Sequence, residues 1–452
     1  MRFIAAIILA LGAALPALPQ DSDASPLTAE QRNLNLQSLE KVWTTVRDTH
    51  WDPTLGGVDW TAAHAAALSK IRSARTMQQS RAAMSEMLAK LKQSHFAIIP
   101  SDLYKQIQPA SKNRGSGDKP ENGGAGPKSA ADSATREEEC GVGIEAAIID
   151  GKARVVAIED GSPAAHAGVG LGWELVSVDG YAVSQTIISL AGADLPEREL
   201  FERAILNQAF LGPLDEHVET VFGDENGQLH HVVLDRAEPK GNLVQFGFMP
   251  QERVWIEARQ LDGPVEYIRF NLFLDPEHLM PAFEKAVRDC LKCKGFVIDL
   301  RGNPGGLGPM AMGMAGWFVN RRGRRLGTLK ARSYTLDFDI NPRGDTFDGP
   351  LAVLVDGGSA STSEIFAAGL QDLGRARVFG TKTAGAALPS EFVRLPNSDG
   401  FQYAEATYTS RNGQVLEGTG VTPDVIVTHT RESLLSKRDA ALDAAVKWIE
   451  SK

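Results

Sequence analysis

Three cysteines are all that this 452-residue chain contains, and that scarcity removes several classes at once. Three thiols do not make the dense disulfide framework of a small secreted scaffold. Cys290 and Cys293 are separated by two residues, but no second cysteine or histidine pair completes a zinc site with them. They are expected to be structural thiols or a local disulfide at the end of a helix, and nothing calls for a metal or a cofactor. A long basic run is also missing. The 47 Lys and Arg stand against 57 Asp and Glu, a formal charge of −10, which argues against a nucleic-acid partner. Beyond the first twenty residues there is no stretch of about 18 apolar residues, so no stable membrane span is expected. The glycine-rich turns lack a Gly-Lys-Ser/Thr ending, which argues against a phosphate cradle.

What is there divides by pattern. Residues 1–20 carry one Arg, the apolar run FIAAIILALGAAL and then small and Pro residues. This reads as a signal peptide, so the mature chain is expected to be exported, periplasmic or secreted. Residues 28–105 have apolar positions at helical spacing and end in Gln93, Ser94, His95 and a short strand-like FAIIP. Residues 106–139 are dominated by Gly, Pro, Ser and charge, the composition of a flexible linker. Residues 140–238 alternate strand-like runs with Asp-Gly turns and two helices. From 239 to 436, apolar strands alternate with helices, which predicts an α/β fold with a mostly parallel sheet covered on both faces. The end, 437–452, belongs to an amphipathic pattern read as one helix from Arg431 to Lys452.

The chain is organised around residues 351–369, LAVLVDGGSASTSEIFAAG. An apolar strand stops at Gly357 and Gly358, and a helix starts after the Ser/Thr cluster. A strand, a tight turn and a helix start lift one side chain off a sheet edge, beside the N–H groups of a helix N-terminus. An acyl-transfer nucleophile needs that placement. Ser361 and Glu364 also fit a plain capping box. A second glycine turn, DLRGNPGG at 299–306, again follows a buried strand. It offers Gly305 or Gly306 as one oxyanion donor, with Thr362 as the other.

DLRGNPGG, GGSASTSEIFAAGLQDLGRARVFGT and EGTGVTPDV together resemble the C-terminal processing (tail-specific) serine peptidases. That resemblance implies a ClpP/crotonase-like α/β core and a nucleophile at Ser361. In the middle region, GSPAAHAGVGLGWELVSVDG resembles PDZ domains, which implies that Gly141, Val142, Gly143 and Ile144 receive the end of a peptide. The whole is then an α/β protein with an N-terminal helical segment and an inserted, mainly β PDZ domain. The tail-specific branch pairs its serine with a lysine 25 residues later, but here that position is Ala386, and the nearby Lys382 falls four residues early. The tricorn branch of the same family uses Ser and His with a Glu, plus a serine just before the His. Ser94, His95 and Glu417 match that set. A histidine base at its ordinary pKa of about 6.5 would put a pH step there. The implied function is an exported serine endopeptidase acting on polypeptides, possessing a domain for their C-terminal tails. The missing lysine keeps a second reading open: a silent ligand- or peptide-binding protein on the same scaffold, as in the retinoid-binding interphotoreceptor proteins.

Overall fold

The computed structural model describes residues 6–7, 26–101, 140–185, 198–244 and 252–452. The stretch read as a signal peptide, apart from residues 6–7, and the stretch 106–139 read as a linker lie outside the described residues.

Strand Leu351–Val355 is the middle of a six-stranded sheet. Its order is Ile256–Gln260, Val265–Phe270, Gly295–Asp299, Leu351–Val355, Arg377–Gly380, Val425–Ile426, and only the first pairing is antiparallel. Side chains alternate across a strand, and here both faces are covered. Phe296, Ile298, Leu351, Val353 and Val355 pack on one side with Phe283, Met314 and Phe366 of three helices. Val297, Ala352 and Leu354 pack on the other side with Ala445 and Ile449 of helix Ala440–Glu450. This is why these strands read as unbroken apolar runs. The expected single C-terminal helix is two pieces, Arg431–Leu435 and Ala440–Glu450. Lys437 takes φ 54° between them, and Asp439 caps the second piece through Leu442 N–H.

Both glycine turns leave the carboxyl ends of neighbouring parallel strands, Gly295–Asp299 and Leu351–Val355, where open α/β sheets form their crevice.

Helices Ala29–Thr49, Trp60–Ser73 and Met77–Ala89 are each capped by a side chain, from Thr28, Asp59 and Thr76. Their apolar faces, including Val42, Val46, Trp60 and Met84, close over Phe401 and Tyr403. The short strand Ala97–Ile99 then joins the hairpin of Ser390–Arg394 and Gly400–Ala404, pairing Ile98 with Phe401. A buried ion pair, Arg81 to Asp399 at 2.9 Å, locks that junction. Asp399 also accepts Ser101 N–H. Removing either partner alone would leave a buried charge. Ser94 and His95 are thereby carried from the helical segment to the core.

Strands Ile144–Ile149, Lys152–Ile158, Glu174–Val178, His217–Gly223 and Leu229–Asp235 form a second sheet in that order. Helix Arg198–Gln208 packs beside the first of them.

Candidate active site

Ser361 stands at the N-terminus of helix Thr362–Asp372 with φ 52° and ψ −117°, a conformation that non-glycine residues rarely adopt. The surroundings hold it there. Its N–H donates to Ala386 O at 2.9 Å and to Glu364 Oε2 at 3.0 Å. The capping box and the lifted serine are therefore one arrangement. Ser361 is wholly buried.

The two glycine turns are stitched together by side chains. Asn303 O accepts from Ala360 N–H and from the Ser363 hydroxyl, and Thr362 Oγ1 donates to Gly306 O at 2.7 Å. Asp356 Oδ1 accepts both Gly302 N–H and Gly358 N–H, at 2.9 and 3.0 Å. Gly305, at φ +108°, lies so close that a Cβ there would come within 2.7 Å of the Ser361 Cβ and 2.9 Å of Thr362 N. One expected donor is corrected. Gly305 N–H donates to Asn303 Oδ1 at 2.9 Å, so it is committed within its own turn. Gly306 and Thr362 are left as the candidates for an oxyanion. The Gly305–Gly306 edge also takes an extended strand, since Ala6–Ile7 pairs antiparallel with it.

Ser94, His95 and Glu417 are brought together from distant segments. Glu417 Oε1 accepts Ser94 N–H at 2.7 Å, and Oε2 accepts the Ser94 hydroxyl at 2.9 Å. Ser94 Oγ in turn lies 2.6 Å from His95 Nδ1. A serine has one proton to donate. With that proton on Glu417, Nδ1–H donates to Ser94 Oγ and His95 Nε2 carries the lone pair. Nε2 is buried and has no hydrogen-bond partner. Glu417 therefore does not touch the imidazole; Ser94 stands between them. Ala387 N–H also donates to Glu417 Oε2, at 3.1 Å, while Ala386 O receives Ser361 N–H. Two consecutive residues thus join the serine's turn to the relay. His95 itself has φ 63° and is 7% exposed.

Burial sets the charges. It lowers the His95 pKa to about 3, so the expected step near 6.5 does not come from this imidazole, which is neutral across the physiological range. Burial raises Glu417, against the opposing pull of its bonds to Ser94. Lys382 is exposed, whereas a lysine needs burial to become a base at neutral pH.

Glu364 is the residue whose role sequence reading missed. Its fully buried carboxylate accepts Ser361 N–H, Ala386 N–H, Gly385 N–H and the Thr383 hydroxyl. Burial outweighs those donors and raises its pKa to about 7. The Ser-x-x-Glu spacing announced only a cap; the contacts to 383–386 come from a loop about twenty residues away.

Gly141, Val142, Gly143 and Ile144 lie at the start of the second sheet. Gly141 N–H donates to Ala237 O, Val142 O accepts Ala164 N–H and Gly143 O accepts Glu159 N–H. Ile144 opens the edge strand. Cys290 and Cys293 are joined as a disulfide at the end of helix Pro276–Asp289, far from this chemistry in sequence. Among the described residues, no group of His, Cys, Asp and Glu is arranged to hold a metal ion, and no helix is long and apolar enough to cross a membrane.

Residues 265–427, which hold both glycine turns and Glu417, match the description Peptidase family S41. These residues are thus a peptidase family S41 domain. The helical segment, residues 33–89, matches the Tricorn protease C1 domain. A carboxy-terminal-processing protease of Bartonella bacilliformis is 28% identical over 303 residues, 65% of this chain and 62% of that protein. A protein of Staphylococcus aureus described as a CtpA-like serine protease is 30% identical over 220 residues, 47% of this chain and 43% of its own length. The chain thus spans less than two thirds of the length of both relatives. Among solved structures, the photosystem II D1 C-terminal processing protease covers 93% of this chain and 97% of its own, with a TM-score of 0.56 at 22% identity. Mature CPAF aligns over 93% and 97% with a TM-score of 0.60 at 15% identity. At these identities the likeness is one of fold.

Proposed function

We propose that this chain is an exported serine endopeptidase that cuts polypeptides with Ser361 as nucleophile and His95 as general base. The observation that carries the reading is the relay Glu417–Ser94–His95, which leaves Nε2 as the basic nitrogen, buried and unpartnered. Ser361 gives its proton to Nε2 as its Oγ attacks the scissile carbonyl. The imidazolium formed is stabilised through Ser94 by the Glu417 charge, and the proton then passes to the leaving amine. Gly306 and Thr362 N–H groups serve the oxyanion, with the helix N-terminus behind them. Ala386, in the place of the dyad lysine of the tail-specific branch, is small enough to pack against Ala360 and Leu200, and the histidine supplies the base instead. The core is read as ClpP/crotonase-like and the second sheet, with helix Arg198–Gln208, as a PDZ domain that receives substrate tails.

A fluorophosphonate tests this directly. The wild-type chain should be labelled at Ser361, and His95→Ala should label far more slowly. An unlabelled wild type would support the silent, ligand-binding alternative.

A further inference from the structure

The inference rests on the PDZ reading and concerns how its groove is filled. Ile144–Ile149 is an edge strand: Lys152–Ile158 pairs with one side, and helix Arg198–Gln208 faces the other. A peptide added to such an edge exchanges N–H and C=O bonds with alternate residues of the strand. At Ala146 both groups are already taken by one side chain. Ala146 N–H donates to Asn207 Oδ1 at 2.9 Å, and Asn207 Nδ2 donates back to Ala146 O at 3.3 Å. A carboxamide offers one acceptor and two donors, so it reproduces the pair of bonds that a residue of an added strand makes. The second Asn207 N–H goes to Arg203 O at 2.6 Å, which fixes the amide on its own helix.

Both walls of this trough are tied to the core. Glu145, next to Ala146, is bound to Arg269 of the core at 2.9 and 3.0 Å. On the helix, Arg203 pairs with Asp356 at 2.7 Å, and Leu200 is buried with Ala360 and Ala386.

We propose that Asn207 is a built-in stand-in for a bound peptide strand, so that an extended polypeptide enters this groove only by displacing its carboxamide from Ala146. Asn207 then sets the affinity threshold of the groove. Chain ends that bring strong contacts elsewhere pass it, and weakly held segments do not.

The test uses the full chain with Ser361→Ala, so that nothing is cleaved. The probe is a fluorescein-labelled pool of decapeptides, randomised at the last three residues and ending in a free carboxylate, read by fluorescence anisotropy. Asn207→Ala should bind the pool about tenfold more tightly, because two hydrogen bonds no longer have to be exchanged. Alanine is the better helix former, so the helix is kept, and an unchanged thermal midpoint checks this. Asn207→Asp keeps an acceptor for Ala146 N–H but no donor for Ala146 O, and should fall between the two. Equal affinity of the parent and Asn207→Ala overturns the inference while leaving the PDZ reading intact. Absence of binding by every variant overturns the PDZ reading, and the inference with it.

Discussion

The two halves of the proposed catalytic centre are made in opposite ways. The serine half is local: strand, glycine turn, Ser361 and helix follow one another within residues 351–372, and the neighbouring turn is one strand away in a parallel sheet. The histidine half is assembled across the chain, from Ser94 and His95 after the helical segment, Ala387 in a core loop and Glu417 beyond it. The local half is held by backbone geometry and many short bonds between adjacent turns. The assembled half depends on a few long-range bonds, above all those of Glu417, and on the packing that brings Ala97–Ile99 to Gly400–Ala404. A local half tolerates motion elsewhere in the molecule. An assembled half is lost if one distant support goes.

The largest effect should come from removing either reacting group. Ser361→Ala and His95→Ala are each expected to lower kcat by several orders of magnitude on a peptide substrate, with no additivity in the double variant. If His95→Ala keeps most activity, the assembled half is not the base. Next comes its remote support. Ser94→Ala or Glu417→Gln should lower kcat by about 10²-fold with little change in KM, since the imidazolium loses its stabilising charge and its fixed tautomer.

Glu364 belongs to both halves, because its carboxylate holds Ser361 N–H and the loop before Ala387. With its pKa raised to about 7, it is a proton-bearing carboxyl below that value and a full acceptor of four donors above it. Activity should therefore rise with pH through about 7. Glu364→Gln should be roughly tenfold less active and lack that step. A profile whose step is unchanged in Glu364→Gln assigns the titration elsewhere. The stability sign is the reverse: a folded pKa above the ordinary 4.5 favours the fold at low pH, and that contribution is lost as pH rises through about 7.

His95 gives a separate, smaller signature. Its pKa falls from 6.5 to about 3 on burial, so in acid the unfolded chain binds a proton that the folded chain refuses. Stability from this group is complete above about 6.5 and declines as pH falls toward 3. Thermal midpoints should drop more steeply between pH 7 and 4 for the wild type than for His95→Gln. Smallest of all, Lys382→Ala should leave activity within about twofold, as expected for an exposed side chain. A dead Lys382→Ala enzyme with an active His95→Ala enzyme would exchange the roles of the two residues.

The sequence by itself determined the elements that depend on neighbours along the chain. Alternation and unbroken apolar runs marked the buried strands, the glycine pairs marked the turns at their ends, and Ser361 with Glu364 marked a helix start. Ser94, His95 and Glu417 were legible only through resemblance to the tricorn branch, because nothing local distinguishes them. Only the tertiary structure decided that Gly305 N–H is spent on Asn303, that Ser94 separates Glu417 from His95, and that Glu364 reaches Ala386. Each of these depends on where a hydrogen-bonding group finds its partner after distant segments close on one another. The polarity of a residue is written in the sequence, but the identity of its partner and the dryness of its surroundings are set by packing. That is also why His95 could be named from the sequence while its pKa could not.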